Sequence, residues 1–314
     1  MEILGVSGSL LRGNQQAGYN PEETLACERV LVSLLRGFGM LKDTLRLVGG
    51  LVPRYLTPER PPDVPAHAGT SDVDIVLDVQ VMAKAEGYKA LAKQLKDQGF
   101  TRGVNDKGVP VGWQWKRQVS EHAYVMVEFL QEAPEGVQPG TTVAVDGENL
   151  SAMAIPHAGM VLDWYDSREV TAELLDGKGV ATETVHYADA VSFIVLKALA
   201  FGHRNENKDA GDLIHVMQYS CDLATLVDKF QHRLRSGQHA GAIEQGLEQL
   251  KRHFAGSDTV QGFERPGPVA YAHFLHDAAQ TDRDTLLRAQ RDAAALVEQF
   301  LQLMQQALSD KPAQ

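Results

Sequence analysis

Two carboxylates one residue apart, Asp72 and Asp74, lie in the stretch Thr70-Ser71-Asp72-Val73-Asp74-Ile75-Val76-Leu77-Asp78. With Asp72 to Leu77 as a strand, alternation puts the two acids on one face and Val73, Ile75 and Leu77 on the other. The apolar face packs on a core. The acids then stand roughly 6.5–7 Å apart at the backbone, close enough to share a divalent cation. Upstream, the apolar run Leu45 to Val48 delivers Gly49-Gly50, a pair whose missing side chains let the backbone approach a phosphate. Carboxylates and glycines together read as a metal-dependent nucleotide site.

Three further residues bear on that reading. Glu128 is the one acid in the apolar stretch Tyr124-Val125-Met126-Val127-Glu128-Phe129-Leu130, on the face shared by Tyr124 and Met126. A buried carboxylate needs a cation, a base or a metal. Taken alone, an edge strand with one solvated face accounts for it; beside Asp72 and Asp74 a third metal ligand is expected. Lys197 interrupts Val191 to Phe201, a run otherwise apolar apart from Ser192. A helix apolar all round is buried, so Lys197 snorkels out, forms a structural ion pair, or meets an anion such as a phosphate. After the polar run Gly202 to Lys208, Asp209 is a natural N-cap and Asp212 falls at the third helical position, where acids are favoured. Capping alone explains both acids, but not the lone Lys that precedes them by one helical hairpin.

These residues must be held by a mixed set of elements. Asn20-Pro21-Glu22-Glu23 starts a helix whose apolar stripe runs to about Phe38. Pro58, Pro61, Pro62 and Pro65 forbid regular structure in the loop over 57–69. Val81 to Gln98 reads as a helix, and Val109 to Arg117 with Ala123 to Phe129 as paired strands. Gly177 and Gly179 mark a hairpin among further strands. From Asp189 onward the period is helical. Leu223 to Phe254 and Thr285 to Leu308 are amphipathic, the latter with a stripe through Leu286, Ala289, Ala293, Leu296, Val297, Phe300, Leu303 and Met304. The expectation is an α+β fold: a mixed-sheet domain over 1–187, then a helical bundle over 188–314 that contributes Lys197 and Asp212 to the site.

The whole chain narrows the function classes. At 314 residues it buries a substantial core. No apolar run approaches the roughly 18–20 residues of a membrane span, and no secretory leader is recognisable. Cys27 and Cys221 are the only cysteines and have no metal or redox spacing, which fits the cytoplasm. The formal charge of −11 excludes a general nucleic-acid coat protein, so any RNA binding relies on a local patch.

Gly49-Gly50, Thr70-x-Asp72-x-Asp74-Ile75 and the segment Lys197-Ala198-Leu199-Ala200…Arg204…Lys208-Asp209-Ala210-x-Asp212-Leu213 resemble nucleotidyltransferases of the AbiEii/AbiGii toxin type. These belong to the DNA polymerase β-like superfamily. The resemblance runs from about Leu45 to Tyr219, and its second motif is the more specific. It implies that Gly49, Gly50, Thr70 and Ser71 cradle an NTP, that Asp72 and Asp74 hold Mg²⁺ with Glu128 as third acid, that Lys197 contacts phosphates, and that Asp212 completes the site or orients Lys197. The chain departs from the pattern in a longer segment between Gly50 and Asp72. It also has His67-Ala68-Gly69 where an Arg often precedes the Thr. The implied activity is transfer of a nucleotide to an acceptor hydroxyl, foremost the 3′ end of tRNA, by the toxin of a type IV-like toxin–antitoxin or phage-defence pair with a cognate antitoxin. A small-molecule nucleotidyltransferase of the antibiotic-modifying kind and a catalytically silent binding protein are the alternatives.

Overall fold

The Asn20 side chain accepts a hydrogen bond from Glu22 N at 2.8 Å and opens helix α1 (Pro21–Phe38). Pro21 brings no orphan donor to the first turn, and Glu22 and Glu23 complement the helix dipole there. This computed structural model describes residues 15–79, 87–105, 107–146 and 150–309. The buried positions of α1 include Cys27, Val30, Leu31, Leu34, Leu35 and Phe38, which recur at helical spacing, and the helix packs on strands of the sheet that follows.

Among the described residues that sheet has nine strands: β1 (Leu45–Val48), β2 (Asp72–Leu77), β3 (Thr101–Val104), β4 (Pro110–Gln118), β5 (Tyr124–Glu132), β6 (Thr142–Asp146), β7 (Leu150–Ile155), β8 (Tyr165–Glu173) and β9 (Val180–Ala188). Their order is β3-β4-β5-β2-β1-β9-β8, with β7 also paired to β5 and β6 to β7. The sheet is mixed. β1 runs antiparallel to β2, whereas β2 runs parallel to β5, β1 to β9, and β5 to β7. Helices α2 (Pro53–Leu56), α3 (Gly87–Asp97) and α4 (Met160–Asp163) lie on the connections. The start of the helix expected over Val81 to Gln98 lies outside the described residues. The expected hairpin is β8–β9, registered from Tyr165↔Ala188 to Glu173↔Val180, with Gly177 and Gly179 both at positive φ.

The remaining helices are α5 (Ala190–Arg204), α6 (Asn207–Tyr219), α7 (Leu223–Ser236), α8 (Ala240–Phe254), α9 (Pro266–Leu275) and α10 (Arg283–Ser309). Gly237, left-handed at φ +72°, divides the amphipathic stretch Leu223 to Phe254 into α7 and α8. In α10 the buried stripe includes Ala289, Ala293, Val297, Phe300 and Met304, while Leu286, Leu296 and Leu303 are only half-buried. The fold is α+β, a mixed sheet followed by C-terminal helices. Among the described residues no helix is long and apolar enough to cross a membrane.

The chain divides into two compact units. Of the described residues, the sheet unit comprises those within 20–55 and 69–189; the helical unit comprises 15–19, 56–68 and 190–309. A single cut between residues 187 and 188 assigns 15–19 and 56–68 to the sheet, but their side chains bind the helices instead. Tyr19 packs on Phe274 at 6.1 Å, Thr57 bonds His215, and His67 bonds Asp212.

Candidate functional site

In the sheet unit, β2 lies between β1 and β5, and its register fixes what stands beside each aspartate. Asp74 pairs with Glu128 on one side and Val48 on the other; Asp72 pairs with Met126. Glu128 and Met126 in turn pair with Gln114 and Lys116 of β4. Residues in register on a pleated sheet project from the same face. Gln114, Glu128 and Asp74 therefore form one row, and Lys116, Met126 and Asp72 the next. The backbones of Asp74 and Glu128 are about 4.8 Å apart, one strand spacing. All six side chains are half-buried, while Val73, Ile75, Val127 and Phe129 are fully buried on the opposite face. The apolar core on one side aims the acids to the other.

The glycines meet these acids through the antiparallel pairing of β1 and β2. Gly49 follows Val48, the residue opposite Asp74, and adopts φ +72°. A Cβ at Gly49 would overlap the Asp74 carboxylate, so both the conformation and the space require glycine. Gly50 is buried in the 3₁₀ turn Gly49–Leu51.

Thr70 is 1% exposed and is clamped from α1. Its N–H donates to Thr24 Oγ1 at 3.0 Å, the Thr24 hydroxyl returns to Thr70 O at 3.4 Å, and the Cys27 thiol reaches the same oxygen at 3.7 Å. The Thr70 hydroxyl donates to Asp72 Oδ1, and Ser71 forms the bend between them. Thr24 and Gln114 carry no motif of their own. Only the pairing of distant elements reveals them.

In the helical unit, the apolar surround of α5 buries Lys197 to 8% exposure. Its ammonium lies 3.0 Å from Asp209 Oδ1 and 2.7 Å from Asp212 Oδ2. Arg204 clasps Asp209 with two bonds, at 2.6 and 2.8 Å, while Lys208 holds both oxygens of Asp212 at 2.9 Å. His67 Nε2 contacts Asp212 Oδ1 at 2.9 Å. Of the roles open to Lys197, the fold shows an ion pair with two carboxylates. Asp209 is not the N-cap. The cap is Glu206, and α6 begins at Asn207, so Asp209 takes the third helical position and Asp212 the sixth. The helix starts earlier because both acids are buried against Lys197 and its neighbouring cations, which a capping carboxylate at the surface does not meet.

The charges are set by these contacts. Burial works against the Lys197 ammonium, but Asp212 and Asp209 outweigh it and raise its pKa. Burial also opposes ionisation of Asp212, yet Lys197, Lys208 and His67 hold it well below the usual carboxylate range. Asp209 is lowered too, against its own burial, by Lys197 and then Arg204. Burial pushes the His67 pKa down despite Asp212, with Lys208 and Lys197 adding to the fall. His215, whose ring meets that of His67 at 5.0 Å, is pushed down to about 4 by burial and by His67. Lys197, Lys208 and Arg204 thus face Asp209 and Asp212 as a charged cluster joined by a neutral imidazole.

The sheet unit brings together Gly49, Gly50, Thr70, Ser71, Asp72, Asp74 and Glu128; the helical unit brings together Lys197 and Asp212. Among the described residues, no group of three or more His, Cys, Asp and Glu side chains is arranged to hold a metal ion by itself. The donor set on the sheet nevertheless has the right chemistry for Mg²⁺. This ion takes one or two carboxylates and completes its shell with phosphate oxygens and water. Asp72 and Asp74 supply hard oxygens on a half-open face, with Glu128 one strand away. No protein-family model matches the chain, and none of the curated proteins gives a significant match to it.

Proposed function

We propose that the sheet unit carries the centre of a metal-dependent nucleotidyltransferase that moves a nucleotide from an NTP to an acceptor hydroxyl. One observation carries this reading. Asp74 stands in register with Glu128, and its carboxylate lies against the side-chain-free backbone of Gly49, so carboxylates and a glycine backbone come together in one place. Asp72 and Asp74, with Glu128, would hold Mg²⁺, which supplies positive charge to the triphosphate when bound. Gly49, Gly50, Thr70 and Ser71 would receive the phosphates. In the reaction the acceptor oxygen bonds to the α-phosphorus, its proton passing to water. The bond from that phosphorus to the β-phosphate oxygen breaks, and pyrophosphate leaves with the electron pair.

In the helical unit, Asp212 holds Lys197 at 2.7 Å. The acceptor we assign is RNA, foremost the 3′ end of tRNA, in the cytoplasm, with the chain acting as the toxin of a pair that includes an antitoxin. The net charge of −11 favours a second acceptor, a cationic small molecule of the antibiotic kind.

One assay separates these. The protein is incubated with each labelled NTP, Mg²⁺ and either total tRNA or a panel of cationic small acceptors. Label on tRNA that disappears in Asp74→Ala supports the RNA reading, and label on a small acceptor supports the second. No transfer to either by the unmodified chain rejects nucleotidyl transfer.

A further inference from the structure

Within the helical unit, one face of α10 and the loop that joins α8 to α9 enclose a cavity of about 300 Å³. The helix contributes Arg291, Ala294, Ala295 and Glu298, the i, i+3, i+4 and i+7 positions of a single stripe. Opposite charges stand at the two ends of that stripe, separated by about 10 Å of helix rise. Its middle is two methyl groups. The loop brings Gly256 and Gly262, which have no side chain at all. The result is a slot with little to obstruct it, a cation at one end and an anion at the other.

Each end is held in place without being neutralised. Glu298 Oε1 accepts from Gly256 N at 2.8 Å, and a Cβ at Gly262 would overlap the same oxygen, so the carboxylate is seated against both glycines. Arg291 lies by the Phe263 ring, its guanidinium carbon 5.1 Å from the centroid. Among the described residues neither Arg291 nor Glu298 forms an ion pair, and both are exposed. A ligand that completes the slot therefore brings an anion to Arg291 and N–H donors to Glu298. The volume falls within the range of small-molecule sites. An α-amino acid carries its carboxylate and α-ammonium on one carbon, too close together to reach both ends. A mononucleotide spans them, phosphate at one end and base edge at the other. Guanine presents two adjacent N–H donors, N1–H and the 2-amino group, which match the two oxygens of a carboxylate. Adenine and cytosine place a ring-nitrogen acceptor beside their amino group, and uracil flanks its single N–H with carbonyls.

We propose that this slot is a binding site for a guanine mononucleotide, with the phosphate on Arg291 and the N1–H and 2-amino group on Glu298. Binding of 5′-GMP to the full chain is measured by isothermal titration calorimetry, with AMP, guanosine and lysine as comparison ligands. GMP should bind, and AMP about 10–100-fold more weakly, the loss that follows when hydrogen bonds to a charged group are not made. Glu298→Gln retains an acceptor for Gly256 N and should lower GMP affinity by a similar factor. Arg291→Gln should weaken GMP but leave guanosine, which lacks the phosphate, unchanged. Ala295→Phe fills the slot and should abolish binding of both. All three positions are exposed, and matched urea midpoints check that the variants fold. Asp74→Ala, on the sheet, should bind GMP as the unmodified chain does. The proposal is overturned if the unmodified chain binds no GMP, binds AMP or lysine as tightly, or keeps its GMP affinity in either Glu298→Gln or Arg291→Gln. Loss of GMP binding in Asp74→Ala but not in the slot variants also overturns it, and assigns the nucleotide to the sheet instead.

Discussion

Lys197 Nζ lies 2.7 Å from Asp212 Oδ2 in the helical unit, and the Asp212 side chain is entirely out of solvent. A buried pair of this kind contributes little relative to a well-packed apolar pair, but removing one member strips the other of one of its buried counter-charges. Lys197→Met and Asp212→Leu are each expected to cost about 3–5 kcal/mol in urea unfolding. Because the two share one network, the double variant should cost clearly less than the sum. Additive losses would show that the pair is not energetically coupled. Transfer activity of either variant has to be read in conditions where it remains folded.

The histidines joined to that cluster give stability a particular pH dependence. Burial lowers both His67 and His215 from the ordinary 6.5, His215 to about 4. The unfolded chain therefore takes up protons that the fold refuses, and stability rises with pH across that interval. Their contribution is complete above pH 6.5 and drains away as pH falls towards 4. Asp209 and Asp212 are depressed below 3.8, so their contribution persists down to that value and fails only in stronger acid. Lys197, raised above 10.5, keeps its contribution at every pH below that. The urea midpoint should fall between pH 6.5 and 4 in the unmodified chain. His215→Phe carries a constant cost, because the 3.0 Å hydrogen bond to Thr57 Oγ1 is lost, but should flatten the slope. An unchanged slope would mean that the fold does not lower the His215 pKa.

Much of the sheet face was legible because strand alternation is local. Val73 and Ile75 against Asp72 and Asp74 needs only the period of two. The in-register partner of Asp74 needs the pairing of β2 with β5, which no local pattern encodes. Sequence distance misleads at Gly49 for a clear reason. The segment Leu56–Ala68 between Gly50 and Asp72 packs with the helices, so the chain leaves the sheet and returns, and β1 and β2 still pair directly. The same excursion hides the His67–Asp212 bond, which joins residues 145 positions apart. At Asp209 the local capping rule lost to a tertiary effect, burial beside two cations.

Gly49 offers a test of the close approach to Asp74. Alanine there meets two penalties, a left-handed φ of +72° and overlap with the Asp74 carboxylate. Gly237 has the same φ of +72° with nothing within 4 Å of its Cβ position. Gly237→Ala should therefore cost only the backbone term, about 1 kcal/mol, and leave transfer intact. Gly49→Ala should cost about 1–3 kcal/mol. It should also reduce transfer at least tenfold, because Asp74 must move. Equal effects of the two substitutions on activity would show that Asp74 tolerates displacement and is not part of the centre.

Thr24 tests whether α1 sets the position of the aspartates. Its hydroxyl receives the Thr70 N–H at 3.0 Å and returns to the Thr70 carbonyl, while the Thr70 hydroxyl in turn holds Asp72. Both threonines are buried, and no local signal in α1 marks this contact. Thr24→Val keeps the shape and removes the acceptor, leaving the Thr70 N–H unpaired at a cost of about 1–3 kcal/mol. Thr24→Ser keeps the oxygen and should recover most of that. Stability alone would not distinguish a clamp on the site from an ordinary core hydrogen bond, so the deciding measurement is the KM for the NTP. It should rise in Thr24→Val and return towards the unmodified value in Thr24→Ser, with the KM for the acceptor unchanged in both. A rise in the acceptor KM instead would place the Thr70 turn on the acceptor side of the reaction.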